Sequence, residues 1–284
     1  MTIVDGKKLS REILSKVKTG VTTLDFKPVF CDVLVGNDPA SIQYVNMKGQ
    51  MAEKMGISFH GADFPKFIAT DELIKEIKIL NKVKNMCGII VQLPLPAHLD
   101  RQAILDAIDS HLDVDCLGTT ASDKFYKNYN SETDLCFPTA LACMALLDSL
   151  DLDLKTKNVV VLGQGALVGQ PVSALLRYRG LFPITVDINT LHKEKLINQA
   201  DVIISGIGKG KHITGDMIKQ GVVLIDAGTS ESNNAIVGDV DLESVKDVAS
   251  YVSPVPGGVG PVTVAMLLNN VLKVAQHKNK NNGR

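Results

Sequence analysis

No apolar stretch of ~18 residues occurs anywhere in the chain, so a transmembrane helix is not expected. The first eight residues are polar and lack the hydrophobic segment of a secretory signal, which points to a cytoplasmic protein. Cysteine is sparse, with five in 284 residues. The number is odd, and none of Cys31, Cys87, Cys116, Cys136 and Cys143 forms a Cys-x-x-Cys pair. That pattern argues for reduced thiols over a disulfide framework, with no zinc or other metal expected. Charge nearly cancels at a formal −1, leaving no basic field for nucleic acid or an anionic membrane surface. Internal repeats are also lacking. The length allows one or two domains with a sizeable buried core.

What the chain does have is alternation. Strand-like apolar runs take turns with amphipathic stretches, the pattern of βαβ units around a mainly parallel sheet. In the leading part, helices are expected over 10–21, 39–55, 71–81 and 103–108, and strands over 29–35 and 88–92. Pro39 opens the second helix and Gly56 stops it, while Pro94 and Pro96 halt the second strand. Residues 118–135 lose periodicity, and the domain boundary is placed there, just before a helix starting near Pro138. A second alternation follows, with strands 159–162, 184–187, 202–205 and 222–226 and helices 171–178 and 193–198. A last helix is expected over 262–274, and the polar, basic stretch 278–284 reads as a frayed end. The fold class is α/β, with domains 1–137 and 138–263.

Several strings carry chemistry. In Val159-Val-Val-Leu-Gly163-Gln164-Gly165-Ala-Leu-Val168-Gly169-Gln-Pro171 a buried strand runs into glycines at the mouth of a helix. Such glycines allow a tight turn and leave backbone N–H groups and the helix dipole facing a pyrophosphate. The Gly-x-Gly-x-x-x-Gly spacing departs from the usual dinucleotide fingerprint. Asp187 lies 24 residues after Gly163 at the end of the next strand. A carboxylate there accepts hydrogen bonds from an adenosine ribose diol and repels a 2′-phosphate. The bland reading of Asp187 is a solvated residue at a helix entry.

Tyr44 and Lys48 stand four residues apart and share one helix face, a spacing also frequent on solvated helices. In Val91-Gln92-Leu93-Pro-Leu-Pro, Gln92 sits at the C-terminal end of a strand, where ligands gather in open α/β sheets. Asp113-Val-Asp115 adds a carboxylate to the same domain. Residues 253–263, Ser-Pro-Val-Pro256-Gly257-Gly258-Val259-Gly260-Pro261-Val-Thr263, crowd proline and glycine ahead of a helix. Such a loop either presses main-chain atoms against a flat ligand or is an ordinary rigid connection.

In their order, these strings resemble the methylenetetrahydrofolate dehydrogenase/cyclohydrolase family over nearly the whole chain. The family's closing signature, Thr-Pro-Val-Pro-Gly-Gly-Val-Gly-Pro-Met-Thr, differs only at Ser253 and Val262. Its Ser-x-x-Tyr-x-x-x-Lys and Val-Gln-Leu-Pro-Leu-Pro motifs match around Lys48 and Gln92, and its Asp-Val-Asp-Gly motif is kept through Asp115. The resemblance implies a folate-binding domain completed by residues 264–284 and a Rossmann-like, doubly wound nucleotide domain, with the active site in the cleft between them. It implies oxidation of 5,10-methylenetetrahydrofolate by a nicotinamide cofactor, then hydrolysis of the methenyl product to 10-formyltetrahydrofolate, in a homodimer. Lys48 becomes the acid/base, for which burial must loosen its proton. Gln92 orients that amine, Tyr44 packs on the pterin, and Asp115 binds its amino-pyrimidine edge. Val91, Leu93 and the 256–263 loop complete the folate site. Gly163, Gln164, Gly165, Val168, Gly169, Asp187, Ile188 and Thr229 line the cofactor. NADP-using members carry a basic residue after the first glycine or at the end of the second strand. Gln164, Asp187 and Ile188 provide none, so NAD is expected over NADP.

This chain also departs from the family. Gly165 replaces a serine, Cys116-Leu-Gly a Gly-Phe-His, Phe137-Pro-Thr-Ala a Thr-Pro-x-Gly, and Asp226-Ala-Gly-Thr229-Ser an Asp-Val-Gly-Ile-Asn. These changes leave open a cyclohydrolase with weak dehydrogenase activity, or a non-catalytic folate- or nucleotide-binding paralogue. A short-chain dehydrogenase also uses Tyr-x-x-x-Lys, but after its glycine motif; here the pair precedes it.

Overall fold

Strand and helix alternate through most of the chain in a computed structural model that describes residues 1–232 and 235–282. The leading elements are β1 (Thr2–Ile3), α1 (Gly6–Thr22), β2 (Val29–Val35), α2 (Pro39–Lys54), β3 (Ser58–Phe64), α3 (Thr70–Leu80) and β4 (Met86–Val91). Then come α4 (Arg101–Leu105), α5 (Thr119–Lys127), α6 (Pro138–Asp148), β5 (Val159–Leu162), α7 (Gly169–Tyr178), β6 (Ile184–Val186) and α8 (Lys193–Asn198). The chain closes with β7 (Val202–Ser205), β8 (Val223–Asp226), β9 (Ser230–Ser232), β10 (Ala235–Val237), α9 (Leu242–Val245), β11 (Tyr251–Val252) and α10 (Val259–Asn282).

The chain divides into two compact units, Glu12–Pro138 with Leu267–Arg284, and Met1–Arg11 with Thr139–Met266. In the first, three parallel strands pair in the order β3-β2-β4, so β2 is central. Side chains alternate across a strand. Cys31, Val33 and Val35 therefore join Leu73, Ile77 and Ile104 in one core, and Phe30 and Asp32 take the other face. β3 was not expected; His60, Gly61 and Asp63 hide its alternation, and pairing with β2 over seven residues holds it.

Two further expectations fail in this unit. The stretch read as aperiodic contains α5, whose buried Ala121 and Phe125 lie four apart beneath a polar exterior. Phe125 also packs against the Tyr126, Tyr129 and Phe137 rings, with centroids 5.0–5.2 Å away. The C-terminal stretch does not fray at 278. α10 runs to Asn282, while residues 283 and 284 lie outside those described. Its polar residues anchor it: Asn270 donates to the carbonyls of Val114 (2.8 Å) and Cys136 (2.7 Å), and Lys273 to those of Ser131 and Asp134.

In the second unit, six parallel strands run in the order β1-β11-β8-β7-β5-β6. After β5 the chain places β6 on one side and β7 on the other. The carboxyl ends of β5 and β7 are therefore the topological switch point, as in a Rossmann-like, doubly wound sheet. Val160, Leu162, Ile203, Leu224 and Val252 belong to its core. Residues 1–11, expected within the leading domain, belong here instead. Thr2 N donates to Ser250 O at 2.7 Å and Val4 N to Val252 O at 2.9 Å. Two residues are too short to show a period, and the gain is pairing of the β11 edge. Among the described residues no helix is long and apolar enough to cross a membrane.

Candidate active site

Lys48 occupies a core position. The buried residues of α2 are Ser41, Val45, Lys48, Gly49 and Ala52, a stripe at helical spacing that faces the sheet. Asp38 caps this helix by accepting from Ser41 N at 2.8 Å, and Pro39 starts it. Gly49 lets the helix lie close to β3: a Cβ there would come within 2.5 Å of the Phe59 ring. The lysine next to it is consequently only 3% exposed. A buried ammonium requires partners, and it has them. Nζ lies 2.7 Å from Asp32 Oδ2, donates to Gln92 Oε1 at 2.8 Å, and sits 4.8 Å from the centre of the Tyr44 ring. Gln92 is fixed in turn, its N donating to Val33 O at 2.9 Å and its Nε2 to Leu93 O at 2.6 Å. Val91 is buried at the end of β4 and Leu93 half-buried beyond it.

Carboxylates outnumber the amine. Ile89 N donates to Leu112 O at 2.8 Å, which ties the 113–118 turn to β4. Asp113 closes that turn by accepting from Gly118 N at 2.7 Å. Cys116, where the family has glycine, adopts a left-handed φ of 58° in it. Burial pushes Asp115 up to about 7 against the pull of Lys48, with Asp113 and Asp32 pushing further. Asp113 is pushed to about 6 by burial. The Tyr44 phenol, desolvated and near Asp115 and Asp32, is pushed up to about 12 and stays protonated. Four of the expected residues, Tyr44, Lys48, Gln92 and Asp115, are thus neighbours.

Asp32 escaped the sequence reading. The available signal was one ionisable residue within Val29-Phe-Cys-Asp-Val-Leu-Val35, an otherwise apolar run, in a strand type that seldom holds aspartate. Elsewhere in this unit a cavity of about 680 Å³ is lined by Met86, His111, Phe125, Lys273 and His277 among others, and by none of the expected site residues.

In the six-stranded unit, the glycines after β5 form a cradle. Gly163 has φ +79°, and a Cβ on it would stand 2.7 Å from Gly206 O at the end of β7. A Cβ on Gly169, the first residue of α7, would overlap the Gly163 carbonyl. Strand and helix N-terminus therefore meet through bare backbone, which fits a dinucleotide pyrophosphate. Val168 precedes the helix, and Gln164 Nε2 donates to the carbonyls of Val161 and Gly163. Gly165 is exposed with nothing within 4 Å of a Cβ, so a side chain is tolerated there. Asp187 is exposed just past β6; its Oδ1 accepts from Asn189 N and Thr190 Oγ1, both at 2.9 Å. Ile188 and Thr229 are exposed.

Two buried carboxylates, which the sequence did not mark as structural, hold the rim of this unit. Asp239 accepts from Ser205 Oγ, Ile207 N and Lys209 N. Asp226 accepts from Gly228, Asp239 and Val240 N. The 256–263 segment is not all loop, since α10 begins at Val259. Gly260, Pro261 and Thr263 lie in its first turns, where proline is tolerated. Ser10 Oγ donates to Pro261 O at 2.9 Å, and Thr263 Oγ1 to Val259 O at 3.2 Å. Pro256, Gly257 and Gly258 form the true loop, closed by Gly258 N donating to Pro254 O at 2.7 Å.

A glycine cradle at the switch point of a doubly wound sheet, and a buried amine among carboxylates in a second α/β unit, define a nucleotide-dependent enzyme equipped for proton transfer. Known proteins narrow the class. Residues 4–115 match the tetrahydrofolate dehydrogenase/cyclohydrolase catalytic domain, and residues 137–279 the NAD(P)-binding domain of the same enzymes. The bifunctional protein FolD of Nautilia profundicola is 41% identical, with 98% of each chain covered. The solved FolD methylenetetrahydrofolate dehydrogenase/cyclohydrolase of Campylobacter jejuni superposes with a TM-score of 0.92 at 36% identity, covering 98% of this chain and 99% of that one. The Trypanosoma brucei enzyme, solved with NADP cofactor and an inhibitor, gives 0.91 at 30% identity and 98% coverage of each. The chain belongs to the tetrahydrofolate dehydrogenase/cyclohydrolase family.

Proposed function

We propose that the protein oxidises 5,10-methylenetetrahydrofolate to the 5,10-methenyl cation with a nicotinamide cofactor, and hydrolyses that cation to 10-formyltetrahydrofolate. The observation that carries this reading is Lys48, buried in the core stripe of α2 yet held by Gln92 and Asp32.

Gly163, Val168 and Gly169 would hold the cofactor's pyrophosphate through backbone N–H groups and the α7 dipole. When bound, the cofactor supplies a hydride acceptor for the methylene carbon. The remaining work falls to side chains of this chain. Asp115 takes the two adjacent N–H donors of the pterin, and Tyr44 packs against its ring. In the hydrolytic step water adds to the methenyl carbon and gives one proton to the Lys48 amine. That proton passes to N5 as the C–N5 bond breaks, and the carbinol proton is released, leaving the formyl group on N10. Gln92 keeps the amine aimed throughout, so the transfer needs no search.

For the cofactor we infer NAD over NADP. Asp187 presents a carboxylate where a ribose diol would bind, its Oδ2 free of hydrogen bonds among the described residues, and neither Gln164 nor Ile188 offers a cation to a 2′-phosphate. We also infer a homodimer built on the six-stranded unit. Its sheet ends at β6, an edge with no strand paired to it among the described residues, beside Phe182 (91% exposed), Ile188 (86%) and Leu191 (82%). An open edge flanked by apolar side chains invites a second copy.

The test is direct. The protein is mixed with methylenetetrahydrofolate and either cofactor, and reduced nicotinamide and methenyl absorbance are followed. Reduced cofactor should accumulate, with any methenyl signal decaying faster than in buffer; absence of both changes refutes the reading.

A further inference from the structure

Asp32 has no part in the folate chemistry assigned so far, yet it is the charge nearest the amine. It is 0% exposed, at the centre of the three-stranded sheet, with Oδ2 2.7 Å from Lys48 Nζ. Its other oxygen, Oδ1, meets no hydrogen-bond donor among the described residues. A carboxylate with a single cationic partner and no backbone donors is poorly stabilised as an anion.

Resting on the role of Lys48 above, we propose that Asp32 is a positioning residue for the hydrolytic step. It holds the amine against Gln92 and shares its proton, so that the pair sets the pH at which Nζ can accept a proton from water. With the shared proton on Asp32, the Nζ lone pair is free. Water's oxygen then bonds to the methenyl carbon, a water proton passes to Nζ and on to N5, and the carbinol proton leaves to solvent. Atoms and charge balance, since the cation and water give a neutral formyl product and one proton.

The surroundings agree. Burial raises Asp32 above the usual carboxylate range, Lys48 pulls it back, and Asp63 of β3 pushes it further up. Cys31, on the same strand, is pushed to about 12 by burial and by Asp32 and stays a thiol. Tyr44 from α2, Gln92 beyond β4 and Asp115 from the 113–118 turn are the other groups around the amine.

The experiment is the pH–rate profile of methenyltetrahydrofolate hydrolysis for wild type, Asp32→Asn and Lys48→Met. Without a carboxyl to take the shared proton, Nζ must release its own, so Asp32→Asn should move the limb that rises with pH upward by about one unit or more, with kcat affected more than KM. A merely structural pair would alter stability and leave the limb in place. An unmoved limb in folded Asp32→Asn, with Lys48→Met inactive, overturns the role of Asp32 and leaves that of Lys48 standing. Full hydrolysis by Lys48→Met overturns the reading beneath it. If Asp32→Asn does not fold, wild-type protein labelled with ¹³C at aspartate Cγ decides the matter. The Asp32 resonance should titrate with the kinetic limb, and a resonance flat across it contradicts the proposal.

Discussion

Asp115 shows how much a single residue's environment can say. Burial lifts its carboxyl from 3.8 to about 7, so between about pH 4 and 7 the folded chain holds a proton that the unfolded chain has released. Protons bound preferentially by the folded state mean stability that falls as pH rises through that window. Asp113 and Asp226, each raised to about 6, add to the same slope. Asp115→Asn should therefore flatten the decline in thermal midpoint between the two ends of the window, and an unchanged slope would show that Asp115 is not desolvated. At this scale the sequence was partly legible. Tyr44, Lys48, Gln92 and Asp115 were found through motifs that bring distant segments together. Asp32 was not, because nothing local distinguishes an aspartate that points to an amine on the helix packed against the sheet from one misplaced in a strand.

Helices and strands position these groups by close approach. Gly49→Ala forces α2 away from Phe59, a clash with ring atoms worth about 1–3 kcal/mol. It should lower the thermal midpoint and slow hydrolysis by displacing Lys48; a variant with wild-type rate would show that α2 placement is not limiting. Gly169→Ala in α7 collides with backbone, which cannot yield as a side chain can. The KM for the nicotinamide cofactor should rise by about tenfold or more, roughly 1.4 kcal/mol, and an unaltered KM would remove the cradle from its role. α2, with its helical period, and β2 and β5, as apolar runs bounded by breakers, were readable in advance. β1 and β11, two residues each, and β9 and β10, three each, exist through pairing rather than pattern, and α5 hides its apolar pair in a polar segment.

For the whole molecule, the exposed β6 edge and the cofactor cradle carry the expectations. Light scattering should give twice the mass of one chain, and Phe182→Asp with Leu191→Asp should halve it; a monomeric wild type contradicts the inferred dimer. Catalytic efficiency should favour NAD over NADP, and an advantage of about tenfold for NADP, about 1.4 kcal/mol, would defeat the reading of Asp187. Beneath both lies the claim that the buried amine of Lys48 manages the protons of hydrolysis. General acid–base catalysis is worth about 10²–10⁴-fold. The steady-state rate at which Lys48→Met hydrolyses 5,10-methenyltetrahydrofolate should accordingly fall by at least about a hundredfold, and a rate equal to wild type would contradict the account.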